Sequence, residues 1–119
     1  MKKLLAILLV VSLQGCSIAA LTSIWPKPHD PVMFDQVVSI HIVLNKTNCS
    51  NKDWSELFDR VHHLKVYSEL RGDPQATNIA QLEEALLKAN SSKSEVFCNN
   101  LVKINKTRVE VIEDAWKGR

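Results

Sequence analysis

A chain of 119 residues, with 15 lysines and arginines against 13 aspartates and glutamates, suffices for one small domain and is nearly charge-balanced. That balance gives no large field to steer it onto nucleic acid, and no nucleic-acid motif is present, so that class is excluded. Only three glycines occur, and none stands in a phosphate-cradling loop.

Lys2 and Lys3 open the chain, residues 4–13 are mostly apolar, and Leu13-Gln14-Gly15-Cys16 ends the run with small residues ahead of a cysteine. The run is too short for a transmembrane helix, which takes roughly 20 apolar residues. It resembles a bacterial secretory signal of the lipoprotein kind; a core helix that begins with lysines and leucines is the alternative. The resemblance implies cleavage before Cys16, a diacylglyceryl group on its sulfur and acylation of its new amine. Each buried methylene contributes about 0.8 kcal/mol, so one acyl chain anchors marginally and several anchor stably. Ser17, where inner-membrane lipoproteins of enteric-type bacteria tend to carry Asp, implies the outer membrane facing the periplasm. Loss of Lys2 and Lys3 with the signal would leave basic and acidic residues equal in number.

Trp25-Pro26-Lys27-Pro28-His29-Asp30-Pro31 carries three prolines, which exclude a helix interior and favour an extended, semi-rigid spacer. At roughly 3.3 Å per residue, residues 16–31 reach at most about 50 Å. Trp25 suits either a membrane–water interface or a cap on the domain core. Asp30-Pro31 is a helix-start signal. The β-branched residues of 37–44 also suit a strand. Phe34, Val37, Val38, His41 and Leu44 fit one helical face, however, and a lone strand has nothing to pair with. The expectation is a helix.

Residues 45–51 read as a loop, and Ser50 with Asp53 as a weak capping box. Trp54, Leu57, Phe58, Val61, Leu64 and Tyr67 then recur at helical spacing. Arg71-Gly72-Asp73-Pro74 ends that helix and starts another, with Gly72 left-handed, Asp73 at the N-cap and Pro74 in the first turn. So short a connection makes the two helices antiparallel. Ile79, Leu82, Leu86 and Ala89 mark the next face, and residues 90–92 break it. Ser92 with Glu95 offers a capping box for a last helix over about 93–116, carrying Phe97, Leu101, Val102, Val109, Ile112 and Trp116. The expected architecture is all-α: a lipoprotein signal (1–15), a lipid-anchored spacer (16–31) and a periplasmic bundle of three to four helices (32–119).

Cys49 and Cys98 are an even pair, which in an oxidising compartment suggests one disulfide. An intermolecular bond in a homodimer, or two buried thiols, are the alternatives. The helical hairpin would return the chain to the same end, bringing the two cysteines within bridging range.

His29, His41, His62 and His63 lack metal-ligand spacing, and adjacent His62 and His63 point about 100° apart on a helix. Glu83-Glu84 and Glu113-Asp114 read as solvated arcs rather than facing catalytic carboxylates. No nucleophile elbow or activated-cysteine setting is present. The expectation is a protein that is not an enzyme and uses no metal or cofactor. Asn-x-Ser/Thr triplets at Asn45, Asn48, Asn90 and Asn105 are put down to composition, since the Cys16 signal is bacterial.

The lipobox at Cys16, Trp25-Pro26-Lys27-Pro28-His29-Asp30-Pro31, Asn51-Lys52-Asp53-Trp54, residues 67–75 (YSELRGDPQ) and the terminal Trp116-Lys117-Gly118-Arg119 together resemble the small lipoproteins of T-even-type bacteriophages assigned as outer-membrane spanin subunits. The likeness spans most of the chain after the signal. It departs from the very short, proline-rich outer subunits of other spanins. The resemblance implies a lipid-anchored outer subunit that binds the periplasmic part of an inner-membrane spanin subunit, after which the complex fuses inner and outer membranes at lysis. Val102, Val109, Ile112 and Trp116 are the expected partner contacts; alternatively they pack against the hairpin. Competing functions are superinfection exclusion and inhibition of an envelope lytic enzyme.

Overall fold

The computed structural model describes residues 28–119, so Cys16, its signal and most of the spacer lie outside the described residues. Four helices follow: α1 (Pro31–Lys46), α2 (Ser55–Leu70), α3 (Ala76–Ser91) and α4 (Glu95–Lys117). No strand occurs among the described residues.

The start of α1 is the one the sequence signals. The Asp30 carboxylate accepts the N–H groups of Val32 at 2.9 Å and Met33 at 3.1 Å, and Pro31 occupies the first helical position. The helical body thus begins one residue before 32, at the end of the expected spacer. The β-branched run is helical because Met33, Val37, Ile40 and Leu44 form one buried stripe along it. Burial outweighs β propensity.

The cap of α2 differs from expectation. Asn48 Oδ1 accepts from the N–H and hydroxyl of Ser50 and from the N–H of Asn51. The indole of Trp54 donates to the carbonyls of Asn48 and Asn51. Those contacts bury Trp54 over the loop and make it the N-cap residue, with no side chain accepting from the first turn. Ser50 and Asp53 therefore form no capping box.

Between α2 and α3 the expected turn is present. Gly72 has φ +62°, its N–H reaches Glu69 O, and the Asp73 N–H reaches Ser68 O, the paired bonds of a Schellman motif. Asp73 Oδ1 then accepts the Gln75 N–H at 2.9 Å. Regular helix starts at Ala76 with Gln75 as its N-cap residue, so Asp73 and Pro74 lie in the turn ahead of the helix rather than at the N-cap and in the first turn. The cap of α4 is Ser94, whose hydroxyl accepts the Phe97 N–H at 3.2 Å. Ser92 sits two residues too early because its own hydroxyl accepts the Ser94 N–H.

Buried residues recur three and four apart on every helix: Leu57, Val61, Leu64 and Ser68 on α2, and Ile79, Leu82, Leu86 and Ala89 on α3. On α4 the stripe is Cys98, Val102, Asn105, Val109, Ile112 and Trp116. Such heptad seams belong to a four-helix bundle with coiled-coil-like packing. Each helix packs on its two chain or ring neighbours, α1 on α2 and α4, α3 on α2 and α4. Short turns make the course up-down-up-down. The sides of each helix are sorted accordingly. Residues one past the core stripe join α1 to α4 (His41–Glu113) and α2 to α3 (His62 and Lys65 to Glu83). A residue one before it, Arg60, joins α2 to Ser39 of α1.

Candidate partner-docking groove

Cys49, in the loop before α2, and Cys98, in the first turn of α4, are bonded, with sulfurs 2.08 Å and Cα atoms 6.0 Å apart. The bond ties the α1–α2 connection to the start of α4. Lys52 strengthens the same end by donating to the carbonyl of Ser92, and its own carbonyl accepts from Asn90 at 3.0 Å.

The four expected partner contacts are corrected by the structure. Val102, Val109, Ile112 and Trp116 are all buried in the bundle core. They lie on the inner seam of α4, so a partner could reach them only by opening the bundle. The alternative, that they pack against the hairpin, is what the structure shows.

Trp116 also closes the end of the bundle opposite the disulfide. Its indole donates to Asp73 Oδ1 at 3.1 Å, and Arg119 holds the same carboxylate. Burial pushes the Asp73 carboxyl up, but the Arg119 guanidinium, the Gln75 N–H and the Trp116 indole outweigh it and hold the group below the ordinary carboxylate range. Asp30 behaves likewise. Desolvation opposes its ionisation, while the N–H groups of Met33 and Val32, the Tyr67 hydroxyl and the charge of Arg71 favour it, with a net lowering. Tyr67 is shifted upward, by desolvation first and then by the neighbouring Asp30.

The histidines are dispersed. His29 lies tilted against Phe34 with ring centroids 5.8 Å apart, His41 pairs with Glu113, and His62 lies 2.9 Å from Glu83. No group of three histidine, cysteine or carboxylate side chains is placed to hold a metal ion among the described residues.

The surface feature that stands out is a groove along α2 and α3. It encloses about 740 Å³ and is lined by Phe58, His62, Val66 and Leu70 of α2 with Glu83 and Leu87 of α3. Leu70 is 84% exposed, and Leu87 and Val66 are half-exposed. Phe58, His62, Val66 and Leu70 recur every four residues, so a strip that is apolar except at His62 runs along the helix. Asp59, His63 and Glu83 give it a polar rim. A groove of this chemistry accepts the apolar face of an amphipathic helix. It was missed in the sequence because Val66 and Leu70 lie off the stripe that fills the core. Their excess over what the core needs was the available signal.

No protein-family profile matches the chain, and no curated protein or solved structure is significantly similar to it. The fold and the groove therefore stand on their own geometry.

Proposed function

We propose that this chain is the outer-membrane lipoprotein subunit of a phage spanin complex, anchored through acylated Cys16 and paired with an inner-membrane subunit that spans the periplasm. The lipobox ending at Cys16 carries the reading, because it makes the protein a tethered body in the envelope. The proline-containing spacer supports it by setting a standoff from the lipid. The bundle supports it by offering an apolar groove on α2 and α3 for a helix of the partner. In this reading the work is mechanical: the anchor and the groove transmit force between two membranes until they fuse and the outer membrane fails.

Deleting the gene in its phage tests the proposal. The expected result is infected cells that degrade peptidoglycan yet persist as intact spheres in magnesium. Normal lysis, with no redundant lysis gene present, rejects it. Phage resistance conferred by expression alone would favour exclusion instead, and inhibition of a purified muramidase would favour the inhibitor reading. Labelling with a radioactive fatty acid tests the anchor separately, and an unmarked protein removes it.

A further inference from the structure

α4 carries a second heptad seam that the bundle leaves partly exposed. Phe97, Leu101, Ile104, Arg108, Val111 and Ala115 each precede a core residue by one position. Because the opposite side of α4 faces α1 through Glu113 and His41, this seam lies toward α3, on the outer surface. Leu101 is partly packed against the core. Phe97, Ile104 and Val111, spaced by seven, are 49%, 55% and 54% exposed. Over those 14 residues the apolar row runs about 21 Å, at 1.5 Å per residue. Scattered exposed hydrophobes are ordinary, but a row in heptad register is what a helix partner reads.

The charges along this face say which partner. Lys103 precedes Thr107 on this face and Arg108, Glu110 and Asp114 follow it, with Lys103, Glu110 and Asp114 exposed. A parallel copy would set Arg108 against Arg108 and each acidic residue against its like. An antiparallel copy sets Leu101 over Val111, Ile104 over Arg108, and Lys103 beside Glu110 on both sides of a two-fold axis. The seam is self-complementary in that sense alone.

The geometry points to an antiparallel homodimer formed by the outer seam of α4, with the axis passing beside Thr107. Its apolar contact is small, so it is a reversible association rather than an obligate one. It needs neither the lipid anchor nor the α2–α3 groove.

Cysteine cross-linking of the full chain tests it, using the exposed positions Asn100, Thr107 and Asp114, with the parent chain as background. Each variant is oxidised with copper phenanthroline in cell lysate, and disulfide-linked dimers are identified by mass. Thr107→Cys is expected to cross-link to itself. Asn100→Cys and Asp114→Cys are each expected to stay monomeric alone and to cross-link when co-expressed. Ile104→Asp, placed at an exposed position, is expected to reduce the Thr107→Cys dimer at least tenfold without lowering the melting temperature. Three results each overturn the proposal: no Thr107→Cys dimer above background, self-linking of Asn100→Cys and Asp114→Cys alone, or a dimer indifferent to Ile104→Asp. An equal dimer yield from Asp59→Cys, on the other face, overturns it as well.

Discussion

Asp73 is buried where the α2–α3 turn meets the end of α4, and it stays charged because three donors converge on it. A carboxyl held below its unfolded pKa stabilises the fold above that value, near 3.9, and loses its contribution as pH falls through the lower folded value. Asp30, at the same end through Tyr67 and Arg71, has the same sign. Acid should therefore loosen this end first. Native-state hydrogen exchange between about pH 5 and pH 3 is expected to show earlier loss of protection around α1's first turn and α4's last than near the disulfide. Asp73→Asn should flatten that pH dependence, and an unchanged profile would dismiss the role given to the carboxylate. Of these residues, the sequence showed the cap at Asp30, because Asp-Pro has a local meaning, but at Asp73 only a turn, since Gln75 is the N-cap residue of α3. It did not show that Trp116 and Arg119 come to Asp73, since 43 and 46 positions separate them and only the bundle's closure brings them together.

The helices themselves were legible because each has an amphipathic stripe, and a stripe survives without knowledge of neighbours. What periodicity blurred was its phase. On α1, Met33 and Ile40 are buried while His41 pairs with Glu113 at the surface; on α4, Phe97 points outward and Cys98 inward. A rotation by one residue changes which side chains are core, and only packing decides it. Two isoleucines of α4 measure the difference. Ile112 is fully buried and Ile104 is 55% exposed. Ile112→Ala is expected to cost about 2–5 kcal/mol, whereas Ile104→Ala should lie within roughly 0.5 kcal/mol of the parent. Urea melts of the two variants check this, and comparable losses would mean the phase of α4 is wrong. At the turn, Gly72 has φ +62°, and a Cβ added there would meet nothing within 4 Å. Gly72→Ala should then cost only the backbone strain, about 1–2 kcal/mol.

A bundle closed at both ends behaves as one body, and the disulfide is what closes the end away from Asp73. It joins residues 49 apart in sequence, so on the chain-entropy model it stabilises by about 4 kcal/mol. That is a large share of the 5–15 kcal/mol usual for a domain, and reduction should lower the melting temperature by well over 10 °C. Free thiols in a non-reducing mass map of the native protein would refute the bond. The same closure separates two kinds of loss of function. Val109 lies inside the bundle and Leu70 lies outside it, 84% exposed in the groove. Val109→Asp buries an unpaired charge and should unfold the protein, so it would lose every activity without saying where a partner sits. Leu70→Asp and Val66→Asp leave the core intact and put like charge beside Glu83 and Asp59. If a partner helix lies in the groove, these two variants should melt near the parent temperature, be produced at parent level, and yet fail to complement the lysis defect of a gene deletion. Full complementation by both, at normal abundance, would show that the groove is not the docking surface the proposed function requires.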